Sequence, residues 1–75
     1  MIEYRKHKSG RQFFRIDDSV VLVVLNKHRM SSVEACDYNL MTEIATDPYE
    51  TFASTEQEFK EELQVALERI NQFKI

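Results

Sequence analysis

The chain has 75 residues, 43% apolar and 31% charged, with a net charge of −3, one glycine and one proline. Those proportions are those of one ordinary folded domain and leave no stretch for a flexible linker or a disordered tail. A domain this small buries only about 60–65% of the surface its unfolded chain exposes, so its stability margin is thin and self-association is a natural remedy.

The first elements in chain order are two alternating segments, Ile2 to His7 and Arg11 to Ile16, around the turn residues Lys8-Ser9-Gly10. Side chains on a strand alternate faces, so the register of this hairpin decides which residues share a side. A two-residue loop at Ser9-Gly10 would set Ile2 and Tyr4 opposite Asp17 and Arg15. A three-residue loop closed by a left-handed Gly10 and a bulge instead sets Ile2 opposite Ile16 and Tyr4 opposite Phe14. The second register is preferred because it separates an apolar face (Ile2, Tyr4, Phe14, Ile16) from a face carrying Glu3, Arg5, His7, Arg11, Phe13 and Arg15. It places Arg5 across from Phe13 for a cation–π contact and Glu3 across from Arg15 for an ion pair.

After a polar turn at Asp17-Asp18-Ser19, the run Val20 to Leu25 is apolar without alternation. Such a strand is covered on both faces and belongs inside a sheet. Residues 29–47 admit two readings. Alternation at Cys36, Tyr38 and Leu40 favours a bent strand or a hairpin turning near Asp37-Tyr38-Asn39. The capping-box spacing of Ser31 and Glu34, with Val33, Cys36, Leu40 and Ile44 at helical intervals, allows a helix that Asp47-Pro48 would stop.

The last element is a helix. Thr55 caps it with Glu58 three positions on, and Ser54 offers a second cap. Phe59, Leu63, Ala66, Leu67, Ile70 and Phe73 form its apolar stripe, with Glu56 and Glu58 at the positive end and Lys74 at the negative end. The spacing is that of a coiled-coil seam, but it spans barely two heptads, so the stripe is expected to pack on the sheet.

Charge is unevenly divided. Residues 1–30 hold seven Lys/Arg against three Asp/Glu, and residues 31–75 hold three against ten, giving +4 and −7. Basic strands and an acidic helix are expected to neutralise one another within the domain or across a dimer. The first turn and the exit of the third strand emerge at the same end of a meander. Lys6, His7, Lys8 and Arg11 thereby approach Lys27, His28 and Arg29, and with Arg5 they make a candidate anion or nucleic-acid site in which Phe13 stacks a base.

Other chemistry is not indicated. Cys36 has no histidine at a catalytic spacing and reads as a small buried residue, and as the sole cysteine it forms no internal disulfide. His7 and His28 lack the carboxylate or thiolate neighbours of a metal site, Asp17-Asp18 is a turn signal, and no phosphate loop or nucleophile motif occurs. No metal or other cofactor is expected. The opening residues lack the apolar core of a signal peptide and Val20 to Leu25 is too short to span a bilayer, so a cytoplasmic, non-membrane protein is expected.

Lys8-Ser9-Gly10 with Phe13-Phe14-Arg15-Ile16, then Val20 to Leu25, then Ser54-Thr55-Glu56-Gln57-Glu58-Phe59 opening a terminal helix, cover about half the chain. In these the sequence resembles small bacterial proteins of uncharacterised function, chiefly from Bacteroidetes, that open on a β-meander and end in a helix. The resemblance implies a bacterial cytoplasmic source and a βββ…α order, and it assigns no role to any residue.

The expected fold is one α+β domain over residues 1–75: an antiparallel meander of four to five strands with a C-terminal helix on one face, or three strands followed by two helices. The expected function is that of a non-enzymatic interaction module, a homodimer burying the Phe13 face or an exposed sheet edge. The alternative is nucleic-acid or anion binding through the basic end.

Overall fold

Unbroken apolar character over Val20 to Leu25 demands cover on both sides, and the structure supplies it. The computed structural model describes residues 1–28, 30–37 and 39–72. Its elements run β1 (Ile2–His7), β2 (Gln12–Asp17), β3 (Val20–Asn26), β4 (Ser31–Cys36), α1 (Asn39–Ala45), β5 (Thr51–Ala53) and α2 (Glu56–Gln72). The strands form one antiparallel sheet in the order β4-β3-β2-β1-β5, an α+β fold with the C-terminal helix expected from sequence. The interior strand β3 has Val21 and Val24 fully buried, one toward each face.

The first hairpin differs from the preferred register. Ile2 lies opposite Asp17, Tyr4 opposite Arg15, Arg5 opposite Phe14 and Lys6 opposite Phe13, the pairing set aside above. Gly10 does take the left-handed conformation, at φ 75°, and its N–H donates to His7 O at 2.9 Å. The connection from His7 to Gln12 is four residues long, because Arg11 stays outside the pairing with β1 and instead accepts the Asn26 N–H at 2.8 Å. Tyr4 and Phe14 therefore point to opposite sides of the ribbon. The single apolar face and the Phe13-bearing basic face do not exist, nor do the Arg5–Phe13 and Glu3–Arg15 pairs. Arg5 faces away from Phe13, and Glu3 pairs with Arg5 on its own strand at 3.2 Å.

The physical reason is that the sheet is covered twice. Phe13 (5% exposed) joins Val24, Tyr4, Leu22 and Val33 beneath Phe59, Leu63 and Ala66 of α2. Phe14 (1% exposed) joins Ile16, Val21 and Val23 beneath Met41 and Ala45 of α1. A register that looks wasteful for a one-sided sheet seeds a core on each side of this one.

Residues 31–45 combine both readings. Ser31–Cys36 is strand, with Ser31-Glu34 inside it rather than capping a helix, and α1 starts at Asn39. The helix turns Met41 and Ala45 to the sheet and leaves Leu40 and Ile44 exposed, one position away from the expected stripe. Tyr38 lies outside the described residues. On α2 the expected stripe does face the sheet through Phe59, Leu63 and Ala66, although the side it covers holds Phe13 rather than Phe14. Phe73 and Lys74 lie outside the described residues. The Thr55 hydroxyl accepts the Glu58 N–H at 3.1 Å, as the capping-box spacing predicts. The reciprocal half is absent, because the Glu58 carboxylate turns to Ser54 and Lys6.

Both phenylalanines of β2 are thus core residues. Phe13→Leu and Phe14→Leu are each expected to cost about 1 kcal/mol in urea unfolding. An unchanged midpoint for Phe13→Leu would contradict its burial under α2.

Candidate functional site

The basic end assembles as the meander requires, but much of its charge is already matched. Lys6 Nζ lies 3.2 Å from Glu58, and Lys8 Nζ lies 3.1 Å from Glu50. His7 Nε2 lies 3.5 Å from the same Glu50, an ion pair when the ring is protonated, and its Nδ1 is 2.9 Å from the Ser9 hydroxyl. A groove of about 490 Å³ here runs between the Lys6–Lys8 segment and Glu58, Glu61 and Glu62 of α2, with Phe52 on its wall. An anion entering it would meet three carboxylates. Phe13 also lines this groove but is only 5% exposed, too little for a base to stack on its ring. Arg11, Lys27 and His28 are exposed, and Arg11 and Lys27 form no ion pair among the described residues. Arg29 lies outside the described residues.

Arg5 is withdrawn from this end altogether. Its side chain, 17% exposed, reaches across to β5, where Nε donates to the Thr51 hydroxyl and Nη2 to the Thr51 carbonyl, both at 3.0 Å. Thr51 is 1% exposed. Its hydroxyl lies 3.0 Å from Ala45 O and 2.8 Å from Asp47 O, so one buried oxygen links Arg5 to the last carbonyl of α1 and to that of Asp47 in the loop after it. Sequence reasoning missed Thr51, because a strand of three residues offers no alternation to detect.

The two edges of the sheet differ in a way that matters more. On β5, Lys8 N–H bonds Glu50 O and Ser54 N–H bonds Tyr4 O, so Thr51 is a residue whose backbone faces outward. Both its groups are satisfied locally: its N–H donates to Asp47 O at 2.9 Å and its carbonyl accepts from Arg5. Thr51 is thus closed to an incoming strand, which leaves Ala53, the other outward-facing residue of β5, as the short open remainder of that edge.

On β4 the phase follows from Lys27 N–H donating to Met30 O at 2.8 Å, one step before the Asn26–Ser31 pair. Antiparallel ladders alternate bonded and non-bonded pairs. Ser32, Glu34 and Cys36 therefore bond to β3, while Ser31, Val33 and Ala35 turn their N–H and C=O outward. Among the described residues no side chain bonds those outward backbone groups. Ser32, Glu34 and Ala35 are exposed, Val33 is half-buried against the α2 core, and the buried Cys36 is a free thiol. Such an edge is a template for another strand. The sequence shows it only as part of an ambiguous segment.

Among the described residues no group of three or more His, Cys, Asp or Glu is arranged to hold a metal ion, and no helix is long and apolar enough to cross a membrane. Compared with known proteins, the chain matches no family model, no curated protein and no solved structure.

Two measurements probe the contacts around β5. Thr51→Val leaves the Arg5 Nε–H and the Ala45 and Asp47 carbonyls without their buried hydroxyl and is expected to cost about 1–3 kcal/mol in urea unfolding. The Ser54 hydroxyl and the Lys6 ammonium hold the Glu58 carboxyl below the usual carboxylate range. A lowered folded-state pKa adds stability above the unfolded-state value, and that stability disappears as pH falls through the folded-state value. Glu58→Gln is accordingly expected to melt slightly lower than the unaltered chain at neutral pH, by up to about 1 kcal/mol for so exposed a pair. The two curves should converge in acid, below both values.

Proposed function

We propose that this protein is a non-enzymatic interaction module of the cytoplasm that acts as a homodimer through its β4 edge. The observation that carries this reading is the contrast between edges: β5 is closed at Thr51 by Arg5 and Asp47 and keeps only Ala53 outward, whereas β4 presents outward backbone groups at Ser31, Val33 and Ala35. Strand addition at such an edge gains main-chain hydrogen bonds without rearranging the fold. Thin stability in a 75-residue chain makes the added burial useful. A buried, unpaired Cys36 accords with a reducing compartment.

The Phe13 face cannot serve as the dimer surface, since α2 occupies it. The alternative, nucleic-acid or anion binding, has Arg11, Lys27 and His28 exposed but loses Arg5, Lys6, Lys8 and Phe13 to contacts inside the domain.

Sedimentation across the micromolar range is expected to show a dimer. Ala35 is exposed and its N–H points away from β3, so Ala35→Pro removes no ladder bond of the monomer but blocks an incoming strand. The variant is expected to weaken association by about tenfold or more with its far-ultraviolet circular dichroism unchanged. A monomer at the highest concentration of the unaltered chain would reject the reading.

A further inference from the structure

We infer that the strand received by the β4 edge is β4 of a second copy, antiparallel, with Val33 lying on the two-fold axis; the inference rests on the homodimer reading above. A two-fold axis along the sheet normal keeps each face continuous, so residues that pair across it must point to the same face. Centred on Val33, the pairs are Val33 with Val33, Ser31 with Ala35, and Ser32 with Glu34. Every outward N–H and C=O of Ser31, Val33 and Ala35 then meets a partner, because these are the residues whose backbones face away from β3.

Charge selects the same arrangement. The edge is polar along its length: Lys27 and Arg69 stand at the start of β4, where Arg69 Nη1 lies 2.7 Å from Lys27 O and 3.4 Å from the Ser31 hydroxyl. Glu34 and Asp37 stand toward its finish. Antiparallel pairing sets the acidic finish of one copy against the basic start of the other, which a parallel arrangement would not do. A register centred on Glu34 would oppose two carboxylates directly and would set Ser31 against Asp37, beyond the strand. Centring on Val33 gives each Glu34 a serine hydroxyl instead.

The same register places Ala35 of the second copy beside Ser31, at the mouth of an apolar groove of about 430 Å³ lined by Met30, Ser31, Arg69 and Ile70. The seam thus continues onto the α2 side, where both copies carry their helices. The result is a ten-stranded sheet with β5 at each end.

Cysteine cross-linking reads the register directly. Ser32 and Glu34 are exposed and form a non-hydrogen-bonded pair across the seam, where Cα atoms lie about 4.5 Å apart, within disulfide range. Two copies of residue 32 would lie roughly 8 Å apart, too far to bridge, as would two copies of residue 34. The full-length Ser32→Cys and Glu34→Cys chains are mixed in equal amounts, equilibrated and mildly oxidised. The unaltered chain, with Cys36 buried, is the control. The mixture is expected to yield covalent dimer in about half of the chains, the heterodimer share of random pairing, and neither variant alone should yield appreciable dimer. Cross-linking of Glu34→Cys alone would overturn the register while leaving the edge in place. A sedimenting dimer that cross-links in none of the three samples would overturn β4 pairing itself. Absence of any dimer in sedimentation would instead remove the homodimer reading, a result distinguishable from both.

Discussion

The one-residue offset that separates Tyr4 from Phe14 organises the molecule. With Phe13 and Phe14 adjacent on β2, pleating sends one ring to each face, and each ring needs a roof. α2 covers one and α1 the other, with Val24 and Val21 of β3 repeating the division on the neighbouring strand. A small chain gains from this layout, because two thin cores share one sheet. The long helix has enough length to cross from Glu58, beside Lys6, to Arg69, beside Ser31. The short one needs only Met41 and Ala45 to close its side.

Charge follows the same geometry. The excess of cations in the first half and of carboxylates in the second meet where β1 lies beside the start of β5 and the start of α2. Glu50 takes His7 and Lys8, and Glu58 takes Lys6. Each of these partly exposed pairs contributes little to stability. Their effect on the surface is larger, since Lys6 and Lys8, two of the cations at this end, are already matched by carboxylates of the same domain. Arg5 is the clearest case, with its planar fork matched to two oxygens of Thr51.

Several elements were legible in the residues. The non-alternating run from Val20 defined an interior strand, Thr55 and Glu58 marked the start of α2, and Gly10 marked a left-handed turn residue. Mutual neutralisation of the two halves was legible from charge alone. The hairpin register was not, because alternation by itself favours a sheet with one apolar face, and pairing Tyr4 with Arg15 makes sense only when a second helix covers the side of Phe14. The division of residues 31–45 was hidden for a related reason: β4 and α1 are six and seven residues long, too short for either period to declare itself. The open edge could not be seen from any single segment, since it depends on hydrogen-bond phase counted from Lys27 and Met30. Thr51 was hidden because a strand of three residues shows no alternation and its partner Arg5 lies 46 positions away in the chain.

Arg5 carries a last consequence. Its bond to the Thr51 carbonyl, together with the Thr51 N–H donating to Asp47 O, blunts one of the two borders at which an antiparallel sheet can grow, so that only Ala53 stays open there against three residues on β4. A unit with sticky borders on both sides stacks without limit and ends as a fibril, whereas one with a lone margin is used up by its first union. In the proposed dimer, the guanidinium that looks from sequence like a ligand for phosphate disfavours growth beyond that first union.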